Sequence, residues 1–318
     1  MDSTKLLSRG LCLLPLCLAA GLASAQSGMS GMSGGQGKLL LTGGVTTVEG
    51  AAGGGLTPWA VTGSYATSGQ IGGTGALTRV RTDDYSLTSV AVAASYGERF
   101  EVSFAHQDFD TGPVAGALAG ALMDPGFNGL RLKQDIVGLK ARIAGDAILD
   151  SDNWMPQIAV GLEYKKAKPG HLAAALQAFG AKDSGTDIYL SATKLFLAQG
   201  ILVNGTLRAT KANQTGLLGF GAAGHDSYQI KPEISVAYLL SSSVAIGAEY
   251  RAKPDNFRDN TALGAGTLKE DRWMDIFLAW TPNKHASLTL AYVDLGKIVP
   301  GVVTRKQTGS YVSAQLAF

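Results

Sequence analysis

The chain has few charges, almost no cysteine and, past its first 25 residues, no long apolar run. Charged residues make up 16% of its 318 residues, against 46% hydrophobic ones. The absence of any later run of 18 apolar residues excludes membrane-spanning helices. A net charge of only +2 argues against nucleic-acid binding. The two cysteines, Cys12 and Cys17, both lie close to the N-terminus.

The N-terminus has the pattern of a secretory signal peptide, residues 1–25. Lys5 and Arg9 precede a short apolar stretch, and the small residues 23–25 form a cleavage site. An N-terminal membrane anchor is the weaker alternative, because the apolar stretch is too short. We therefore expect a mature chain that begins at Gln26 and has no thiol, no disulfide and no cysteine-ligated metal.

The C-terminus has the pattern of an outer-membrane strand. Residues 308–318 end on an aromatic, and they alternate between an apolar and a mostly polar face. The apolar face carries Val312, Ala314, Leu316 and Phe318, and the other carries Tyr311, Ser313 and Gln315. This pattern is typical of the closing strand of a barrel in the bacterial outer membrane. The sequence therefore predicts an all-β protein, a transmembrane antiparallel up-and-down β-barrel.

Period-two alternation continues through most of the chain after a Gly/Ser/Met-rich linker, residues 26–37. We assign residues 38–318 to one barrel of about fourteen strands. The predicted strands are 38–48, 57–66, 71–80, 85–96, 99–109, 131–144, 154–166, 186–197, 201–211, 227–240, 243–252, 271–281, 285–294 and 308–318. Because strand 38–48 alternates poorly, a barrel of twelve strands with an N-terminal plug segment stays open as the alternative.

The connections between these strands alternate between short and long, as periplasmic turns and external loops do in outer-membrane barrels. The predicted periplasmic turns are 67–70, 97–98, 145–153, 198–200, 241–242 and 282–284. The predicted external loops are 49–56, 81–84, 110–130, 167–185, 212–226, 253–270 and 295–307. Only 81–84 departs from the rule by being short. A soluble β-sandwich has no reason to sort its loops in this way.

Outward-facing aromatic residues fall at two levels, as expected for the two interfaces of a membrane. The predicted external girdle contains Trp59, Tyr164, Tyr250 and Tyr292. The predicted periplasmic girdle contains Tyr65, Tyr96, Trp154, Tyr238, Trp280 and Phe318.

The face opposite the apolar one carries charges, which would be costly in contact with lipid. The candidate lumen-lining residues are Glu101, Lys140, Arg142, Glu163, Lys165, Asp187, Arg208, Glu233, Glu249, Arg251 and Asp275. They either form a charge-paired interior that stabilises the wall or line a path that selects solutes. Acids and bases are nearly balanced, which disfavours strong selection by charge.

Two predicted external loops contain apolar, alanine-rich stretches of helical character, residues 114–123 and 171–179. Glycine or proline bounds each stretch. We interpret them either as short helices packed into the barrel mouth or as a landing site for a hydrophobic ligand.

The sequence contains only weak matches to motifs for cofactor binding, metal binding or catalysis. GFGAAG at residues 219–224 matches a dinucleotide-binding pattern, yet it lies in a predicted loop without a βαβ unit. The four histidines have no ligand-like spacing, and no neighbouring strands offer an obvious Ser–His pair. We therefore expect no metal, no cofactor and no enzymatic activity.

Residues 37–66, with 82–85 and 104–110, resemble a family of uncharacterised Gram-negative outer-membrane proteins that is known as a domain of unknown function. The most distinctive piece is GGGLTPW at residues 53–59, where glycines permit a tight reversal ahead of a proline. The resemblance implies an outer-membrane barrel, and it implies neither a substrate nor catalytic residues. A looser likeness of fold is to channels for fatty acids and aromatic hydrocarbons, and fold alone does not assign function.

The predicted function is a passive, porin-like channel for small solutes, hydrophobic ones included. The alternative is a structural, assembly or polymer-export barrel of the cell envelope without pore activity of its own. The expected partners are outer-membrane lipid and lipopolysaccharide, the barrel-assembly machinery through the strand ending at Phe318, and an unidentified small solute.

Overall fold

The computed structural model describes residues 38, 40–41, 43–67, 69–145, 154–260 and 266–318. The predicted signal peptide and the predicted linker, residues 1–25 and 26–37, lie outside the described residues. Within the described ranges, no helix combines the length and the hydropathy needed to cross a membrane.

Twelve antiparallel strands close into a barrel, in which each strand pairs with its neighbours in sequence and the last pairs with the first. The strands are β3 (Ile71–Thr82), β4 (Ser86–Tyr96), β5 (Phe100–Asp110), β6 (Arg131–Ala144), β7 (Gln157–Lys168), β8 (Ser184–Phe196), β9 (Ile201–Thr210), β10 (Gln229–Leu239), β11 (Val244–Arg251), β12 (Trp273–Asn283), β13 (Ala286–Asp294) and β14 (Thr308–Ala317). A separate two-stranded pair, β1 (Val45–Thr46) and β2 (Ala52–Gly53), lies inside the barrel.

The wall presents apolar side chains outward and polar ones inward, which is the reverse of a soluble protein. Leu77 is 55% exposed and Ile276 is 61% exposed, whereas the inward-facing Ser191 and Asn204 are fully buried. An apolar belt of this size needs lipid or a partner to cover it. Alternation in a closed sheet, which leaves no unpaired edge, matches the requirements of the bilayer.

Long and short connections lie at opposite ends of the barrel. The long-loop end carries 111–130, 169–183, 211–228, the described part of 252–272, and 295–307, together with the short connection 83–85. The short-turn end carries 97–99, the described part of 145–156, 197–200, 240–243 and 284–285. Two of the long loops contain helices, α1 (Pro113–Leu122) and α2 (Ala173–Ala178). Both helices fall on the alanine-rich stretches that the sequence predicts to be helical.

The prediction of fourteen strands is wrong, and the alternative of twelve strands with an N-terminal plug is confirmed. The described residues of 38–48, and residues 57–66, do not join the wall. With the segment between them they form the plug, defined here as the described part of 38–66, which lies inside the lumen. Close approach to the wall explains one of its glycines, because a Cβ atom at Gly54 would overlap the Glu249 carboxylate. Pro58, which cannot donate to a ladder, suits an irregular segment better than a central strand.

Candidate functional site

The backbone of the plug is bonded by side chains of the wall. Irregular backbone inside a barrel has no ladder to satisfy its N–H and C=O groups, so the inward-facing residues must do so. Glu101 accepts from the backbone N–H groups of Ala52 at 3.0 Å and Gly63 at 2.6 Å. Lys140 Nζ donates to the carbonyls of Ala52 at 2.8 Å and Val61 at 2.9 Å.

The opposite side of the lumen holds the plug in the same way. Glu249 accepts from the backbone N–H of Leu56 at 2.8 Å and from the hydroxyl of Thr57 at 2.6 Å. The carbonyl of Pro58 accepts from the Thr206 hydroxyl at 2.8 Å and from the Ser191 hydroxyl at 3.1 Å. The polar inner face is therefore a socket for a fixed segment of the chain.

Glu49 supplies the one carboxylate that the plug places among cations of the wall within the described residues. Its oxygens lie 2.5 Å from Lys165 Nζ, 2.7 Å from Arg251 Nη1 and 3.5 Å from Arg208 Nη2. The Glu49 side chain is 2% exposed. The sequence placed this residue in a predicted external loop, 49–56, and that assignment is wrong because the loop belongs to the plug.

Wall acids complete a buried charge cluster around these cations. Arg208 lies 2.6 Å from both Glu163 and Glu233, and Lys165 lies 2.8 Å from Asp187. With Glu49 and Arg251 included, the cluster contains four acids and three bases. Buried charges are stable only when paired and hydrogen-bonded, so the cluster fixes the plug in one position.

The structure places all eleven predicted lumen residues on the inner side of the wall. Arg142 is half-buried near the short-turn end, where it donates to the Gly145 carbonyl at 2.8 Å, and the other ten are buried. Charge pairing accounts for most of them. Their contacts with the plug were not visible in sequence, since each polar residue inside a barrel looks the same whether it faces water or another segment.

The aromatic residues divide differently. Most of the predicted girdle residues lie on the outer wall or beside its strand ends, namely Tyr96, Trp154, Tyr164, Tyr238, Tyr250, Trp280, Tyr292 and Phe318. Trp59 and Tyr65 do not, because both belong to the plug. Trp59 is 4% exposed and donates through Nε1 to the Ser235 hydroxyl at 3.0 Å.

Above the plug, at the long-loop end, lies an apolar cavity of about 460 Å³. Val48 and Leu56 of the plug line its base. The wall contributes Val80, Leu87, Phe109, Trp273 and Val293, and the loops contribute Leu118, Leu172, Leu176, Phe179 and Phe257. The volume falls in the range of about 300–1,000 Å³ that is usual for small-molecule sites. In the sequence, only the two alanine-rich stretches indicated an apolar site at this end of the barrel.

Three long loops are tied together beside this cavity by Gln214. Its backbone N–H donates to both oxygens of Glu270 at 2.9 Å, and its side-chain oxygen accepts from Lys253 Nζ at 2.6 Å. Its amide donates to the Ile298 carbonyl at 3.1 Å. Gln214 and Thr215 both have positive φ, 44° and 60°, a conformation that costs non-glycine residues of order 1–3 kcal/mol each. Burial raises the pKa of Glu270 to about 7, against the opposing pull of Lys253.

A closed twelve-stranded barrel with an apolar outer wall, a polar lumen and an internal plug is a plugged β-barrel of the outer-membrane type. Over residues 42–315 the sequence matches the family described as "Protein of unknown function (DUF3034)", and the chain belongs to that family. A search of curated proteins finds no match.

Among solved structures, the barrel is similar to the KdgM porin, with 10% identity and a TM-score of 0.47, over 77% of this chain and 99% of that one. It is similar to the NanC porin, with 10% identity and a TM-score of 0.46, over 78% and 99% of the two chains. It is also similar to the outer membrane phospholipase A from Escherichia coli, with 11% identity and a TM-score of 0.40, over 76% and 92%. These likenesses concern barrel architecture alone.

Proposed function

We propose that this protein is an outer-membrane barrel that binds small hydrophobic solutes in the cavity at its long-loop end and passes them inward when the plug moves. The apolar cavity is the single observation that carries the proposal. A path for polar solutes would need polar groups along its lining, whereas this cavity is lined mainly by aliphatic and aromatic side chains.

An outer-membrane location is supported by the wall itself. Its apolar outer face would be insoluble in water, and tilted strands of this length suit a bilayer. The long loops then face outward, as in other bacterial barrels, and the cavity opens toward the outside of the cell. This orientation is part of the proposal.

The plug separates the cavity from the short-turn end. Passage therefore requires the plug to shift, and a channel that is closed at rest follows from the proposal. A second candidate is a closed barrel with a structural or assembly role, and the number of bonds that fix the plug favours it. Binding of a solute in the cavity distinguishes the two.

The test is binding of a fluorescent naphthylamine probe to the barrel in lipid nanodiscs. In α2, Ala175 lines the cavity, whereas its neighbour Ala174 is exposed and does not line it. Ala175→Trp should fill part of the cavity and weaken probe binding at least tenfold, and Ala174→Trp is the matched control. Both variants should retain the heat-modifiable band of a folded barrel.

Saturable binding by the wild type and the control, lost in Ala175→Trp, supports the proposal. Binding that is equal in all three proteins, or absent from the wild type, contradicts it and leaves the closed structural barrel as the better candidate. Uptake of the same probe into proteoliposomes then tests passage separately from binding.

A further inference from the structure

The outer face of the barrel carries a row of polar side chains near the long-loop end. The strand register places Arg79 of β3, Thr88 of β4, Asp108 of β5 and Lys133 of β6 side by side. These residues alternate with the inward-facing ones, so their side chains point away from the lumen. They lie two to three residues from the ends of their strands, about 7–10 Å along the strand.

On β5–β8, the chain supplies its own anions to several outward-facing cations, although Lys133 forms no ion pair with the described residues. Arg131 pairs with Asp108 at 2.8 Å and with Asp110 at 3.0 Å. Lys166 pairs with Asp183 at 2.8 Å. Lys168 and His106 share Asp135 in the same way.

On β3 and β4, the chain supplies hydroxyl groups instead. Arg79 donates to the Ser86 hydroxyl at 3.0 Å and to the Thr88 hydroxyl. Arg81, also exposed, lies between Ser86 and Ser310 in the register. Within the described part of the chain, neither arginine forms an ion pair with an acid.

The two acids nearest to these arginines in sequence, Asp83 and Asp84, do not pair with them. Asp84 is held by Arg305, through two contacts, and by Gln307 at 2.7 Å. Asp83 lies beyond the end of β3, in the connection 83–85. Two guanidinium groups thus face outward beside hydroxyl groups and without a carboxylate.

We infer that Arg79 and Arg81, with the hydroxyls of Ser86, Thr88 and Ser310, bind the phosphate group of a lipid headgroup in the membrane leaflet at the long-loop end. Guanidinium groups bind phosphate through paired N–H donors, and hydroxyls add further donors. This site lies on the outer wall and does not depend on the cavity or on the passage of any solute.

A lipid fits better than free phosphate because of what lies beneath the arginines. Leu77 is the next outward-facing residue from Arg79 toward the middle of the wall, and Val312 lies directly beside Arg79 in the strand register; they are 55% and 42% exposed. Acyl chains would cover these apolar side chains while the phosphate meets the guanidinium groups. A free anion would use only the polar half of the patch.

The test is native mass spectrometry of the intact barrel, titrated with lipid A. Arg79→Gln/Arg81→Gln should bind about ten- to a hundredfold more weakly than the wild type, the effect expected from losing charge-assisted bonds. The matched control, Arg131→Gln/Lys166→Gln, removes two cations that already have acids and should bind as the wild type does. Circular dichroism and heat-modifiability establish that all three proteins are folded.

Two further arms use the wild type alone and so do not depend on the folding of a variant. Lipid A without its phosphates should bind at least tenfold more weakly, and inorganic phosphate at millimolar concentration should not displace the lipid. Equal binding of the dephosphorylated lipid, or equal loss in both double variants, overturns the inference. Displacement by inorganic phosphate overturns the choice of a lipid as the source of the phosphate.

Discussion

Neutralising Glu49 should loosen the plug. Glu49→Gln keeps the size of the side chain and removes the one plug carboxylate seen to meet wall cations in the described structure. Its partners Lys165 and Arg251 are buried, so water cannot replace the lost charge without entering the lumen. Removing one partner of a buried ion pair costs about 3–5 kcal/mol.

The lower part of that range applies to this cluster. Four acids face three bases, so the loss of one acid leaves the two signs equal. Lys165 keeps Asp187 at 2.8 Å, whereas Arg251 is left with Glu233 at 3.4 Å. Weakening the closed state by about 3 kcal/mol raises the fraction of open barrels roughly a hundredfold.

Single-channel recording in planar bilayers measures this change directly. Glu49→Gln should open far more often than the wild type, and Thr47→Val should not. Thr47 is also a buried residue of the plug, and its hydroxyl has no hydrogen-bond partner, so its loss removes nothing. Identical conductance of Glu49→Gln and the wild type, with identical protection of plug amides from exchange, would refute the role of Glu49.

A disulfide provides the complementary measurement. The hydroxyls of Thr57 in the plug and Ser235 in β10 are in hydrogen-bond contact, so cysteines at the two positions can be joined. In the Glu49→Gln background, the oxidised Thr57→Cys/Ser235→Cys protein should stay closed and should open after reduction. Openings that persist in the oxidised protein would show that current passes by a route other than plug release.

The remaining predictions concern the loops and the wall. The pKa of Glu270 is raised to about 7 from an ordinary 4.5, so the protonated carboxyl favours the closed loops over opened ones. This contribution to the stability of the closed loops is complete below pH 4.5 and is lost as the pH rises through 7. Acrylamide quenching of Trp273 fluorescence should therefore increase from pH 5 to pH 8 in the wild type and stay level in Glu270→Gln, and an unchanged slope in that variant would contradict the assignment. Gly161 makes room for the Tyr189 ring, so Gly161→Val should lower the temperature at which the folded gel band disappears, by overpacking that costs about 1–3 kcal/mol. Gly205→Val, in open space on the outer wall, is the control, and equal losses in both variants would rule out overpacking as the cause.

The wall could be predicted from sequence because its signals are local. Residues 131–144, predicted as a strand, coincide with β6 (Arg131–Ala144), since alternation and flanking turns determine a barrel strand without reference to distant residues. The same reasoning applied to 38–48 and 57–66 predicted strands of the wall, whereas their described residues belong to the plug. The composition of these segments suits a strand, but their contacts with side chains of the wall hold them inside the lumen.

Those partners are far away in sequence. Glu49 lies 116 positions from Lys165 and 202 positions from Arg251. Neither local periodicity nor composition can pair residues over such distances. The cavity was out of reach for the same reason, because its lining comes from the plug, the wall and several loops.

The cavity and the plug are physically linked, because residues that line the cavity also belong to the segment that closes the lumen. Val48 and Leu56 line the cavity, and Val48 directly precedes Glu49 in the chain. Arg251 donates both to Glu49 and to the Leu56 carbonyl, at 3.2 Å for the latter. A solute that displaces Leu56 must therefore disturb the contacts of Arg251 that hold Glu49. Coupling between two sites is reciprocal. If an occupied cavity favours release of the plug by some factor, the released state binds the solute more tightly than the closed state by that factor. Glu49→Gln, which populates the released state, should therefore bind the solute more tightly than the wild type, and by at most that factor.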